Sequence, residues 1–121
     1  MTENIDSKNI GLSESMHFKL KLLVEKNHFS NMQDGYRLAA SIGIFKKLDI
    51  SSYELTNRKN MYDIGGVDPD GFFKNTIRHI FPKLKGHEYD SLEKFADLGT
   101  EHLHRITIEN DVLDNNTKHL Q

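Results

Sequence analysis

Apolar residues recur at helical spacing in four stretches of the chain. Between Glu14 and Lys26, Met16, Leu20, Leu23 and Val24 stand at i, i+4, i+7 and i+8, which predicts an amphipathic helix. Ser13 is placed as its N-cap, and Glu14 adds a favourable acidic charge in the first turn. Phe18 and Leu22 lie off that stripe and predict a second contact face. The next helix should run from about Met32 to Lys47, capped by Ser30 or Asn31. Tyr36, Ala39, Ala40 and Gly43 share one of its faces, and Leu38, Ile42 and Phe45 share another. A helix apolar on two sides is usually central. Gly43 inside it costs about 1 kcal/mol against alanine, so close helix packing is expected to offset it. A third helix is predicted from Pro69 to Phe81, with Phe73, Ile77, Ile80 and Phe81 on its apolar face and Pro82 as its stop. A fourth should span Ser91 to Ile108, with Leu92, Phe95, Ala96, Gly99, Leu103 and Ile106 on one stripe.

The segments between these stretches carry weaker signals. Ile10 and Leu12 alternate around Gly11 and predict at most one short strand. Residues 48–67 show neither period, Gly65-Gly66 reads as a break, and so the stretch is expected to be a long loop. The fold class expected is all-α, with four main helices and one short N-terminal strand at most. The first two helices should form a hairpin that the other two close. In domain terms, 1–12 is a flexible start, 13–108 a single helical domain, and 109–121 a polar tail that frays. Phe18, Leu22, Leu38 and Phe45 exceed what one small core needs, which predicts a homo-oligomer.

Composition narrows the class. The chain has 121 residues and no cysteine, so neither disulfides nor cysteine-ligated metal sites arise. Its apolar runs are too short to span a bilayer, and the acidic, polar beginning Met1-Thr2-Glu3-Asn4-Ile5-Asp6 is unlike a signal peptide. A cytoplasmic protein without membrane contact is expected. The net charge of −2 is unevenly spread: residues 8–85 carry 13 basic against 8 acidic side chains, and residues 86–121 carry 3 against 8. Two consequences are open. The basic body meets phosphates, or the two parts neutralise each other within the fold or between subunits.

The candidate chemistry is sparse. His102 and His104 stand two apart on a helix and so point to different faces, and no His-Glu-x-x-His motif occurs; no metal is expected. Asp68-x-Asp70-Gly71 lacks the remaining ligands of a calcium loop, and helix capping explains it. Gly65-Gly66 is followed by no phosphate-binding signature, and there is no Gly-x-Ser-x-Gly elbow. No catalytic residue and no cofactor is assigned, and an enzyme is not expected.

One segment carries a resemblance. Asn9-Ile10-Gly11-Leu12-Ser13-Glu14, then a helix, then Phe29-Ser30-Asn31-Met32-Gln33-Asp34-Gly35-Tyr36-Arg37-Leu38-Ala39-Ala40-Ser41-Ile42-Gly43-Ile44, follows the order strand, helix, turn, helix. This order resembles ribbon-helix-helix proteins. More narrowly it resembles the DndE family, small accessory proteins of bacterial DNA phosphorothioation systems. Ala96-Asp97-Leu98-Gly99-Thr100-Glu101-His102-Leu103 looks like that family's late helix, while Gly11 stands where the family carries a basic residue. The resemblance implies a non-enzymatic, oligomeric, mostly helical protein that binds double-stranded or nicked DNA through its phosphates. Larger DNA-modification or phage-defence proteins would be its partners. Lys19, Lys21, Arg37, Lys46, Lys47, Arg58 and Lys59 are the cations placed to face phosphates.

Two other readings compete. In one the chain is a helical protein-interaction adaptor or antitoxin-like subunit, its acidic end from Glu101 to Asp114 suiting a basic partner. In the other it is a small hydrolase or nuclease with a carboxylate site around Asp63, Asp68 and Asp70.

Overall fold

A computed structural model describes residues 9–120, and the side chains of residues 9–110. Of the flexible start expected over residues 1–12, residues 1–8 lie outside the described residues and residues 9–12 belong to β1, the short strand also foreseen there. The elements run β1 (Asn9–Ser13), α1 (Glu14–Glu25), α2 (Met32–Phe45), β2 (Arg58–Asp63), α3 (Ile64–Val67), α4 (Phe72–Ile80), a 3-10 turn (Pro82–Leu84) and α5 (Glu88–Leu120).

The all-α expectation is overturned. β1 and β2 pair antiparallel, so the protein is mixed α/β: among the described residues, five helices accompany a two-stranded sheet. The error lies in the stretch 48–67, taken as one loop. β2 reads Arg58-Lys59-Asn60-Met61-Tyr62-Asp63, and only Tyr62 is buried. A strand with one buried position has no apolar alternation to detect, so the period-2 signal is absent although the pairing is real. Gly65-Gly66, expected to break structure, lies inside the short α3.

The first two helices match expectation closely, and the order β1, α1, α2 follows the strand, helix, turn, helix reading. Asn31 caps α2, its side chain accepting from Asp34 N–H at 2.8 Å. Two predicted boundaries move. α4 starts at Phe72 because Asp68 accepts the N–H groups of Phe73 (2.8 Å) and Lys74 (3.1 Å), which sets the first turn beyond Pro69. α5 starts earlier, at Glu88, and continues to Leu120, through the stretch expected to fray.

The core lies where α2 crosses α5, with Tyr36, Ala40, Ile44, Phe95 and Ala96 buried beside Leu20 and Leu23 of α1 and Phe73 and Ile77 of α4. The two long helices touch backbone to backbone. A Cβ built on Gly43 would stand 2.2 Å from the Phe95 carbonyl oxygen, and one on Gly99 would stand 1.8 Å from that of Ala39. Glycine is required at both positions by space, and the packing contact anticipated for Gly43 is the Phe95 backbone. Replacing Gly99 with alanine should therefore destabilise the protein by about 1–3 kcal/mol, even after the gain of about 1 kcal/mol in helix propensity. Urea denaturation measures this; an unchanged or raised midpoint would contradict the backbone contact.

Candidate functional site

Four regions concentrate polar or exposed apolar groups. The first is a buried hydrogen-bond network where β1 meets α5. Gly11 sits at a bulge in the β1–β2 pairing, between Ile10, which faces Tyr62, and Leu12, which faces Lys59. The bulge leaves Gly11 without a ladder partner. Its N–H donates to Glu93 Oε1 at 2.9 Å, and its carbonyl accepts from the Tyr36 hydroxyl at 3.0 Å. A Cβ here would lie 1.7 Å from the Lys59 carbonyl oxygen, so no other residue fits. Ser13 donates to Asp97 through both its N–H (2.7 Å) and its Oγ (2.6 Å), and its Oγ accepts from Thr56 N–H at 2.8 Å. The Tyr53 hydroxyl also donates to Asp97. Asp97 is 0% exposed.

Glu93 accepts from Arg58 Nε at 2.6 Å, while burial raises its carboxyl above the usual range against the pull of Arg58. Both oxygens of Asp97 and Oε1 of Glu93 accept from backbone and side-chain donors, and Asp97 is closed to solvent. This network joins the sheet to α5. Asp68, proposed with Asp63 and Asp70 for a hydrolase, is similarly engaged: it caps α4 and accepts from the Tyr89 hydroxyl at 3.0 Å. Among the described residues no group of three or more histidines, aspartates or glutamates stands close enough to hold a metal ion.

The second region is the set of cations placed to face DNA, which the structure divides. Lys19 pairs with Glu101 at 2.8 Å, Arg58 with Glu93, and Lys59 with Glu14 at 3.4 Å. Lys21, Arg37, Lys46 and Lys47 are exposed, without a carboxylate partner among the described residues. Lys21 lies on α1, Arg37 on α2, and Lys46 and Lys47 directly after the C-terminal end of α2. Acidic α5 meets the basic body through three ion pairs, Glu88–Arg78, Glu93–Arg58 and Glu101–Lys19.

The third and fourth regions adjoin at the end of the molecule formed by the α2 C-terminus and α4. Phe45 of α2 and Phe72 of α4 are 57% and 56% exposed and line one groove, with Asn75, Thr76, His79 and Ile80. Ile80 is shared with a neighbouring apolar cavity of about 520 Å³, whose walls include Leu48, Ile50, Phe81, Leu84 and Phe95, together with Lys47 and Lys83. A pocket of this size, mainly apolar with a few polar groups, has the character of a binding site. Sequence reasoning marked Phe45 as surplus to the core but missed the cavity, because Leu48, Ile50 and Leu84 lie outside any periodic stretch. Phe18 and Leu38, also expected to be surplus, are 60% and 43% exposed, whereas Leu22 is half-buried.

No protein-family model matches the chain, and no curated protein and no solved structure matches it. The DndE likeness thus rests on the residues quoted for it. No helix among the described residues is long and apolar enough to cross a membrane.

The network also makes a prediction about alkaline pH. Burial raises the hydroxyls of Tyr36, Tyr53 and Tyr62, that of Tyr62 to about 12, and the Asp97 contact adds to the rise at Tyr53. Folding favours the neutral form of each, so their contribution is complete below the unfolded value of about 10 and is lost as pH rises beyond it. Tyr62 Oη is buried without a hydrogen-bond partner among the described residues. Tyr62→Phe should leave stability at neutral pH unchanged or slightly raised and make the alkaline loss shallower. Urea melts from about pH 8 to about pH 11 test this; a variant as alkali-sensitive as the parent would contradict it.

Proposed function

We propose that this chain is a protein-interaction module that docks a partner on the α2–α4 end and performs no catalysis of its own. The observation that carries the reading is the pair Phe45 and Phe72. Two large aromatic side chains from different helices stand more than half exposed and line one groove, which shares Ile80 with an apolar cavity. Contiguous exposed apolar surface of this kind, rimmed by polar groups, marks interaction sites. Aromatic anchors beside a pocket are the usual carriers of binding energy.

A second reading has one observation in its favour. Lys21, Arg37, Lys46 and Lys47 are exposed and have no carboxylate partner among the described residues, which is compatible with phosphate contacts. In that reading the chain is an oligomeric, DNA-associated accessory protein of a phosphorothioation or phage-defence system, as the DndE resemblance implies. The interaction reading is preferred because Lys19, Arg58 and Lys59 are engaged by the chain's own carboxylates.

The test compares the parent with Phe45→Ser/Phe72→Ser. A partner co-purified with the parent is re-expressed alone and titrated against both pure chains. Its affinity for the double variant should fall by at least about tenfold, with thermal unfolding unchanged. A partner that binds both chains equally would contradict the docking site. Duplex DNA retained with a steep salt dependence, and no protein partner, would favour the second reading.

A further inference from the structure

The cations of this protein are treated differently at its two ends. Where the body meets α5, Lys19, Arg58 and Arg78 each have a carboxylate of that helix. At the α2–α4 end, Lys46, Lys47, Lys83 and Lys85 are exposed, and none has a carboxylate partner among the described residues. Lys47 and Lys83 both line the apolar cavity, one in the segment after α2 and the other in the 3-10 turn after α4. The acidic group on the cavity wall is Asp49, whose carboxylate is turned onto its own loop and accepts from Ser51 N–H at 2.9 Å. Asp70 and His79 line the adjoining groove. Two lysines and one aspartate thus stand among the cavity's mainly apolar walls, an excess of one positive charge.

We infer, building on the docking reading above, that the partner presents an acidic segment: a bulky apolar side chain enters the cavity, and flanking carboxylates meet Lys47 and Lys83. Charge complementarity selects this occupant. A second copy docking by the same face would bring these lysines against their own counterparts, and like charges across an interface are costly. A DNA backbone satisfies the lysines but offers no apolar side chain to cover Phe45, Phe72 and the cavity walls. An acidic peptide with an aliphatic or aromatic anchor satisfies both. The carboxylates steer the approach and set the salt dependence, while the anchor supplies the affinity.

The experiment selects a displayed library of random peptides on the intact, pure chain. Enriched peptides are then synthesised and titrated against the parent, Lys47→Glu/Lys83→Glu and Phe45→Ser/Phe72→Ser. All three chains are checked for equal thermal unfolding. The inference expects enriched peptides with Asp or Glu around a Leu, Ile, Phe or Trp, and a loss of about tenfold or more on either pair of substitutions. Raised salt should weaken binding to the parent more than to the charge-reversed chain. Neutral or basic peptides that need Phe45 and Phe72 but ignore the lysine reversal overturn the acidic partner and leave the docking site standing. Peptides indifferent to both variants overturn the docking site as well. A chain that enriches no peptide and instead holds duplex DNA through Lys47 and Lys83 overturns both and supports the nucleic-acid reading.

Discussion

Two carboxylates one helical turn apart organise this fold. Glu93 and Asp97 stand at i and i+4 on α5, a spacing of about 6 Å between their side-chain origins. Gly11 and Ser13 stand at i and i+2 on β1, where two residues advance the chain by about 6.6 Å. The two spacings coincide, so the acids of one helix face accept successive N–H groups along one edge of the strand. A two-stranded sheet is marginal in water on its own. Here the other edge of β1 is closed by a helix, Tyr36 takes the spare carbonyl of Gly11, and the Ser13 hydroxyl ties in the loop before β2. Burying two carboxylates is costly unless their lone pairs are filled. The Ser13 N–H and hydroxyl and the Tyr53 hydroxyl occupy both oxygens of Asp97, which is why it is tolerated fully enclosed, and Gly11 and Arg58 meet Oε1 of Glu93.

The same helix engages three cations of the basic body, Lys19, Arg58 and Arg78, and leaves others exposed. Along α5, Glu88, Glu93 and Glu101 each engage a cation of a different element, and Gly99 lets α2 approach until backbone meets backbone. Stability is thus concentrated along α5 and around β1. The α2–α4 end lacks comparable polar closure, and its aromatic side chains and lysines are left facing outward. Binding surfaces are characteristically carried by regions that the scaffold positions without enclosing them.

How much of this was legible depended on whether an element has a face. α1 and α2 have clear buried stripes, and their boundaries and core faces emerge from spacing alone. β2 buries only Tyr62 and pairs through backbone groups, so its side chains advertise nothing. The roles of Glu93 and Asp97 were hidden for a related reason. Each lies on an otherwise ordinary helix, and their partners, Gly11 and Ser13, are more than 80 residues away in sequence. A readable clue was present in their i, i+4 spacing on the apolar side of the helix, flanking Ala96. The cavity had no comparable clue, because its walls come from two connecting segments. Charge blocks were more informative: the acidic last third and basic body meet inside the fold, one of the two outcomes their distribution allows.

The clamp of β1 by α5 is open to direct observation by amide hydrogen exchange. If Glu93 and Asp97 hold the strand, the Gly11 and Ser13 amides, which have no ladder partner on that side, exchange as slowly as the core amides of α2 around Ala40. Exchange of these two amides at the rate of an unstructured peptide, with α2 still protected, would contradict it.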